Sequence, residues 1–520
     1  MKKTLFWMLF ASLLMGTTSC SDDNTEAASK PPVTNPDDSG GQVPLSENEE
    51  VNQKVHDYLS KMYLWNHEYK QVMQQPDFTK NYEDFFYDAL SGLKENTLDY
   101  RLVGVDDQGR PRYRLFSFIE QLPSNTARSR GIPQIEKEAN YSFGVTGLLP
   151  IAIGQSAQDA TVFFCVQGVY ADSPAARAGL KRGMMIHTLN GRPLTPENVD
   201  DSYFTLLAPD GVLDVQVAGE EIGEGQVVNK FDVNLTSQWM SVNPVLKSGV
   251  NETYAGHRIG YLNYASFDAG FDLELFEVFK EFRSKQVTDV ILDLRYNGGG
   301  HTVSADLIST CIAGEAAKDK VFMKLRYNKE RMAKFRLEYV EEPFSVKEYS
   351  NLKASLADGF LNLKRVYCLV GAATASASEL VINALRGIDL EVILIGEPTT
   401  GKNVGMEYTD FEVGAHTYRV VPITFQSYNA KNFGAYENGF QPEFVVDETN
   451  PFKEEGRFYV YRPFGSNEEP LYAKAIELIT GTNPLAKARS AQLRALPKVS
   501  RVLPVPLRPG FGGMLKVDLP

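Results

Sequence analysis

The sequence predicts a multidomain α/β protein, because three stretches with different apolar patterns follow one another along its 520 residues. Residues 46–135 carry apolar side chains at every third or fourth position, which is typical of helices. Residues 140–225 contain short β-type runs broken by Gly and Pro. Residues 240–447 alternate strand-like and helix-like segments, which is the pattern of an α/β domain.

The N-terminal region, residues 46–135, is predicted to be helical because two apolar stripes recur at helical spacing. We expect helices as far as about residue 120, with core-facing surfaces and no chemistry. The stripes are Val51, Val55, Leu59 and Met62, and then Phe85, Phe86, Leu90 and Leu93.

Residues 140–225 are predicted to form a small β domain. Thr161–Val166 and Val212–Val217 read as strands, and Pro174 and Gly179 delimit a short helix between them. This stretch resembles a PDZ domain, with Phe143, Gly144 and Val145 in the place of its carboxylate-binding loop. The resemblance implies binding of an extended peptide through a strand edge and backbone amides. The alternative is a small β domain without a ligand.

The third unit is predicted to be an α/β domain because four apolar strand-like runs are separated by amphipathic helical stretches. The strands are expected at 259–262, 290–294, 366–371 and 392–395, and the helices near 271–284, 303–313 and 377–386. A C-terminal extension, 448–520, ends in a proline-rich tail that carries more basic than acidic residues.

Composition excludes several classes of protein. Apolar residues make up 43% and charged residues 23% of the chain, as in soluble globular proteins. The net charge of −13 opposes general electrostatic attachment to nucleic acid, so no nucleic-acid partner is expected.

The first residues read as a targeting segment. Lys2 and Lys3, the apolar run 5–15 and the small residues before Cys20 follow the order of a secretory signal over residues 1–19. Small residues that end at a cysteine resemble a bacterial lipoprotein signal, which implies acylation of Cys20 and attachment to the membrane. The alternative is an ordinary signal with a chance cysteine.

The segment that follows Cys20 is expected to be a flexible acidic linker over residues 20–45, because it contains almost no large apolar residue. Its first residues, Ser21-Asp22-Asp23, resemble a signal that sends lipoproteins of some Gram-negative bacteria to the outer cell face. We therefore expect a lipoprotein of the outer membrane in the cell envelope.

The three remaining cysteines, Cys165, Cys311 and Cys368, have mostly apolar neighbours and are expected to be buried thiols. Their odd number excludes a complete internal disulfide framework. No Cys/His spacing indicates a metal site, and no cofactor is expected.

Two clusters between strands and helices could carry chemistry. Asp293–Gly300 ends in three glycines, which let backbone amides approach a ligand closely, as in phosphate nests and oxyanion holes. Gly371–Glu379 places Ser376 where a strand turns into a helix, a position that exposes a nucleophile with the Ala377 amide beside it. The pair Ser376 and Glu379 also fits a helix capping box, and the pattern leaves both interpretations open.

A third cluster, Gly396–Asn403, nearly matches the sequence motif of a phosphate-binding P-loop. Asn403 replaces the hydroxyl residue that would hold magnesium, Pro398 lacks an amide hydrogen, and no convincing helix follows. The remaining interpretation is a turn in which glycines fix Lys402.

Together these clusters resemble the carboxyl-terminal processing peptidases, the tail-specific Ser/Lys peptidase family. The helical N-terminal region and the basic tail resemble those of related Bacteroidetes lipoproteins. The resemblance implies a ClpP/crotonase-like catalytic domain over 240–447. It implies Ser376 as nucleophile, Lys402 as base, Glu379 as the residue that positions the lysine, and the amides of Gly300 and Ala377 as oxyanion hole. The competing base is His301, the histidine that directly follows the glycines.

The expected function is that of a serine endopeptidase that captures an exported protein or peptide through its PDZ-like module. This chemistry requires that the pKa of Lys402 fall from about 10.4 to roughly 7 or 8, so the site must be largely dry. The alternative is a non-catalytic peptide-binding lipoprotein with an inactive peptidase domain.

Overall fold

The computed structural model describes residues 45–105, 110–122, 137, 139–153, 161–209, 211–223, 226–344, 355–451, 458–487, 501–502 and 514–516. The expected signal segment, the acylated Cys20 and the linker therefore lie outside the described residues. No helix among those that are described is long and apolar enough to cross a membrane.

Three helices of the α/β unit begin and end close to the positions that the apolar pattern predicts, Asp272–Ser284, Thr302–Ala313 and Ala377–Gly387. The first helix of the chain begins at a capping box, in which the Glu49 amide donates to Ser46 Oγ and the Ser46 amide donates to the Glu49 carboxylate. The helices are α1 (Glu47–Met62), α2 (Asn66–Val72), α3 (Tyr82–Ser91), α4 (Pro174–Arg177), α5 (Val199–Leu207), α6 (Asp272–Ser284), α7 (Thr302–Ala313), α8 (Lys329–Phe335), α9 (Ala377–Gly387) and α10 (Pro470–Thr480).

The strands are β1 (Tyr100–Val105), β2 (Pro111–Leu115), β3 (Phe118–Leu122), β4 (Asn140–Ser142), β5 (Val145–Ile153), β6 (Thr161–Val169), β7 (Met185–Leu189), β8 (Arg192–Pro193), β9 (Asp214–Gly223), β10 (Gln226–Thr236), β11 (Gln238–Met240) and β12 (Val245–Asn251). They continue with β13 (Ile259–Tyr264), β14 (Asp289–Asp293), β15 (Val321–Tyr327), β16 (Val340–Pro343), β17 (Arg365–Val370), β18 (Glu391–Gly396), β19 (Val404–Val413), β20 (His416–Val421), β21 (Ile423–Tyr428), β22 (Phe444–Val445), β23 (Arg501–Val502) and β24 (Met514–Lys516).

The extension of the helical N-terminal region to about residue 120 is wrong. Helices end at Ser91, and residues 100–122 form the hairpin β1–β2 and the strand β3. The residues of β2 alternate in burial and begin at Pro111, so they fit a pleated ribbon better than a helix interior.

The β unit, residues 139–240, is built on a sheet with strand order β10-β9-β7-β6-β5-β23. This sheet extends beyond residue 225 because β10 pairs with β9 along its length. The outer edge of β5 pairs antiparallel with the tail, where Val502 lies opposite Ile151.

The sheet of the α/β unit has the order β12-β13-β14-β17-β18-β22, and its central strands are parallel. Its strands are apolar on both faces because helices cover both. One face packs against α6, α7 and α9, and the other packs against α10. The carboxyl ends of β14 and β17, which lead into the two predicted loops, therefore lie side by side.

A second large sheet joins the N-terminal region to the α/β unit. Its order is β16-β15-β21-β19-β20-β3, so β3 of the N-terminal region pairs with β20 along Phe118–Leu122. The apolar sides of α1 and α3 share one core with β19, β20 and β21. The N-terminal region thus packs against the strand that follows Lys402.

Candidate active site

The glycine loop after β14 is folded over the loop that contains Ser376. Asn297 fixes it, because its side chain donates to Tyr264 O at 2.8 Å and accepts from the Gly299 amide at 2.8 Å. A Cβ on Gly299, whose φ is +106°, would lie 2.8 Å from Ser376 Cβ and 3.0 Å from the Ala377 nitrogen. Only glycine permits this approach.

Ser376 lies at the junction of β17 and α9 with φ 55° and ψ −113°. A serine in this left-handed region is strained, and such strain is found where surrounding contacts hold a residue in place for function. Here those contacts come from the Asn297 carbonyl, which accepts from the Ala375 amide at 3.1 Å and from Ser378 Oγ at 2.9 Å. The Ser376 residue is 7% exposed.

Two backbone amides flank Ser376 without an acceptor in the described part of the chain, those of Gly300 and Ala377. Ala377 is the first residue of α9, where amides have no partner inside the helix. The Gly300 peptide is held by hydrogen bonds on both sides, from the Phe267 amide to Gly299 O and from the His301 amide to Phe267 O. Preorganised amides of this kind can bind an oxygen on which negative charge develops.

Glu379 joins the loop of Ser376 to the loop of Lys402. Its Oε2 accepts from the Ser376 amide at 3.0 Å and from the Lys402 amide at 2.7 Å. These two lengths limit the distance between the two amide nitrogens to 5.7 Å. Two residues that are distant in sequence therefore lie side by side.

The other carboxylate oxygen of Glu379 secures the residues before Lys402. It accepts from Thr399 Oγ1 at 2.5 Å and from the Gly401 amide at 2.6 Å. Burial raises the pKa of this carboxyl to about 6, although its hydrogen bonds act to lower it. These hydrogen bonds join Glu379 to the backbone at Lys402, and the resemblance implies that Glu379 positions this lysine.

The Lys402 side chain is 1% exposed and lies in apolar and aromatic surroundings. Its Nζ is 3.5 Å from Met406 Sδ and 4.8 Å from the centroid of the Phe116 ring. Burial lowers the pKa of Lys402 to about 7, and the charge of Arg114 lowers it further, against opposing effects of Asp99 and Glu379. The amine is therefore held near its titration point at neutral pH.

Sequence reasoning missed the contribution of the N-terminal region to this site. Arg101 donates to Gly401 O at 2.9 Å and also to the carbonyls of Thr400 and Glu437. Asp99, fully buried, accepts from Tyr63, Phe116 and Ser117. No motif marks these residues, because they act through a fold contact between β1–β3 and the lysine loop.

Among the other interpretations of the sequence, the capping box of Ser376 and Glu379 is present, because the Ser376 amide donates to the Glu379 carboxylate. The ring of His301 contacts the backbone of Phe267 and Ala269 through Nδ1. The segment after Lys402 is the strand β19, and a P-loop would require a helix there.

The loop that resembles a PDZ carboxylate site lies at the start of β5. The Phe143 side chain is fully buried, and the Gly144 amide donates to Ser142 Oγ at 2.9 Å. Val145 pairs with Val169. A Cβ on Gly144 would lie 2.0 Å from Ser173 Cβ, so this glycine supports close packing with the helix cap at Ser173.

The three remaining cysteines are confirmed as buried thiols. Cys165, Cys311 and Cys368 are free and fully buried, and burial raises the pKa of each thiol.

Comparisons with known proteins point to one family. Residues 258–446 match the model of peptidase family S41, and residues 50–118 match that of the peptidase S41 N-terminal domain. A chloroplastic C-terminal processing peptidase of Tetradesmus obliquus is 25% identical over 327 residues, which cover 61% of this chain and 62% of the relative. A carboxy-terminal-processing protease of Bartonella bacilliformis is 23% identical over 290 residues, covering 55% and 58%.

Among solved structures, an S41-family protein of Bacteroides fragilis superposes with a TM-score of 0.60 and 24% identity, covering 82% of this chain and 97% of that one. This match supports the fold. The alignments span about 60% of the length of the two curated relatives.

Proposed function

We propose that this chain is a serine endopeptidase of the carboxyl-terminal processing type with Ser376 and Lys402 as its catalytic pair, because residues 258–446 match the model of peptidase family S41. One observation carries the assignment. The buried carboxylate of Glu379 binds the backbone amides of both residues through a single oxygen atom. This bridge places a hydroxyl and a desolvated amine on neighbouring backbone segments.

In the proposed mechanism, neutral Lys402 accepts the proton of Ser376 as the serine oxygen attacks the peptide carbonyl carbon. The amides of Gly300 and Ala377 hold the resulting oxyanion. Lys402 then gives its proton to the leaving amine, which departs and leaves an acyl group on Ser376. Water hydrolyses that ester, with Lys402 again acting as base.

The dry surroundings of Lys402 make this step feasible near neutral pH. A lysine in water would be protonated and unable to accept a proton, whereas burial among Phe116 and Met406 disfavours the ammonium form. The role proposed for Glu379 is positioning, because its hydrogen bonds fix both backbones.

Substrate capture is proposed for the PDZ-like β unit, residues 139–240. The support is the edge of β5, which follows the Phe143-Gly144-Val145 loop and accepts a short antiparallel strand, Arg501–Val502, from the chain itself. An exported peptide would pair with the same edge. Acylation at Cys20 and a position on the outer membrane complete the proposal for an exported substrate.

The competing function is peptide binding by a protein whose peptidase domain is inactive. Ser376→Ala separates the two, with cleavage of casein, an unfolded protein, as the assay. We expect the variant to lose at least about 10³-fold in kcat/KM while it still binds casein peptides. Ser309→Ala is the matched control, because Ser309 is a buried serine in α7 whose hydroxyl donates to Ala305 O.

Covalent labelling gives an independent answer. A fluorophosphonate should form an adduct that peptide mass mapping assigns to Ser376, and the Ser309→Ala protein should label as the wild type does. Casein cleavage by Ser376→Ala at the wild-type rate would exclude the Ser/Lys assignment. A wild-type protein that neither cleaves nor labels would favour the binding function.

A further inference from the structure

Arg114, on β2, is a half-buried cation for which the described residues supply no acceptor. Its Nε is buried and has no hydrogen-bond partner there. Burial lowers the pKa of Arg114, and the positive charge of Arg101 lowers it further. The neighbouring charge therefore repels the guanidinium of Arg114. Arginines in protein interiors normally lie against carboxylates or carbonyls.

The position of Arg114 connects it to the proposed active site. Arg114 lies opposite Arg101 in the β1–β2 hairpin, and the Cζ atoms of the two guanidinium groups are 5.0 and 6.0 Å from the centroid of the Phe116 ring. The Nζ of Lys402 is 4.8 Å from the same centroid. These distances limit the separation between Arg114 Cζ and Lys402 Nζ to 9.8 Å.

The two arginines differ in what they bind. Arg101 donates to the backbone carbonyls of Thr400, Gly401 and Glu437 and so holds the lysine loop. Arg114 is partly exposed, and the described residues give its Nε no hydrogen-bond acceptor. Its guanidinium is a planar fork of N–H donors. Such a fork matches the two oxygens of a carboxylate, which it can bind with two parallel hydrogen bonds.

We propose that Arg114 binds a carboxylate of the peptide substrate, with Arg101 as the fixed cation behind it. This inference rests on the proposed peptidase function. An extended peptide advances about 3.3–3.6 Å per residue, so a carboxylate at Arg114 lies within about three residues of the bond that is cleaved beside Lys402. The carboxylate belongs either to the chain terminus of the substrate or to an Asp or Glu side chain.

The test compares matched peptides on the full-length protein. A casein fragment that the wild type cleaves near its end is identified by mass spectrometry. It is then synthesised as the free acid, as the C-terminal amide, and with each nearby Asp or Glu replaced by Asn or Gln. The readout is the ratio of kcat/KM for the acidic peptide to that for its neutral counterpart.

We expect the wild type to prefer the peptide with the decisive carboxylate by about 10- to 100-fold, as for a charged hydrogen bond. Arg114→Gln should reduce the ratio to about one, and Arg114→Lys should restore it in part. Arg112→Gln, on the same strand, should keep the wild-type ratio. Because both peptides use the same base, a change in the pKa of Lys402 cancels from the ratio.

The possible outcomes test the carboxylate site at Arg114 separately from the proposed peptidase activity. A wild type that cleaves acidic and neutral peptides equally overturns the carboxylate site and leaves the peptidase intact. An equal loss of preference in Arg112→Gln shows a general charge effect and also overturns it. A wild type that cleaves no peptide refutes the peptidase function itself.

A binding measurement covers the case in which Arg114→Gln has no activity. The same peptide pair is titrated against Ser376→Ala with and without Arg114→Gln, and fluorescence anisotropy reports the affinity. If Arg114 binds the carboxylate, Ser376→Ala should bind the acidic peptide more tightly than the neutral one, and the double variant should bind both equally. A double variant that still prefers the acidic peptide would contradict the proposal.

Discussion

Two buried cations of the α/β unit, Arg295 and Lys402, are almost equally hidden from water but differ in the charges that act on them most strongly. Arg295 is 2% exposed and Lys402 is 1% exposed. The guanidinium of Arg295 donates to Asp293, Glu448 and Glu469 at 2.5–2.9 Å, and these carboxylates raise its pKa well above the ordinary value. The charge with the largest effect on Lys402 is another cation, Arg114, and the pKa of Lys402 falls to about 7.

The difference shows that burial alone does not decide the protonation state. Desolvation disfavours both charges, but a set of carboxylates restores the charge of Arg295. At Lys402 the charge of Arg114 adds to desolvation, and together they exceed the opposing effect of Asp99 and Glu379. The network around Arg295 joins the glycine loop to α10 and is structural. The site around Lys402 keeps a destabilised amine, which is what a general base near neutral pH requires.

Lys402→Met should give the largest effect. We expect loss of peptidase activity by at least about 10³-fold, together with a gain in unfolding free energy of about 1–3 kcal/mol, because a desolvated amine is replaced by an apolar side chain. Casein cleavage and urea unfolding measure the two quantities.

The pH dependence of this gain is specific. The pKa of Lys402 is lower in the folded than in the unfolded chain, so the amine costs most stability below pH 7 and least near its ordinary pKa of 10.5. The gain from Lys402→Met should therefore shrink as the pH rises from 7 to 10. A variant less stable than wild type at pH 6 would contradict this account.

Arg295→Met should have the reverse effect on stability. Removal of the guanidinium leaves Asp293 and Glu469 buried without their cation, which costs about 3–5 kcal/mol. The urea midpoint should fall, and any loss of activity should follow the loss of folded protein. Arg365→Met, at a half-exposed ion pair with Asp289, is the control and should cost less than about 1 kcal/mol. An equal loss of unfolding free energy in the two variants would show that the Arg295 network stabilises the fold no more than the Arg365 ion pair does.

The smallest expected effect is a shift of the pH profile. Activity as kcat/KM should rise with pH as Lys402 loses its proton, with a midpoint about pH 7. Arg114→Gln removes a charge that lowers this pKa, so the midpoint should move to higher pH. Arg112→Gln should leave it in place. A shift to lower pH in Arg114→Gln would mean that Lys402 is not the titrating base.

The sequence predicted the parts of the molecule that depend on local pattern. The strands around Val290 and Val366 and the helices that begin near Thr302 and Ala377 are confirmed, because apolar periodicity and loop glycines mark them. The close approach of the glycine loop to Ser376 could be anticipated from the order of strands and turns.

The surroundings of Lys402 could not be predicted from the sequence. Arg101 and Arg114 are ordinary strand residues until β1 and β2 pair and meet the lysine loop about 300 positions away in the chain. The hairpin itself was missed because the helical stripes before it suggested that the helices continue. Long-range pairing of this kind leaves no periodic signal.

The pairing of β3 with β20 limits which fragments of the chain can fold by themselves. The strand Phe118–Leu122 completes the sheet edge at Thr417–Val421, and α1 and α3 cover Val420 and Ile423. If residues 258–446 were produced alone, a strand edge and an apolar sheet face would become solvent-exposed and would promote aggregation. Residues 258–446 and the N-terminal region that packs against them must therefore be purified and mutated as one folding unit.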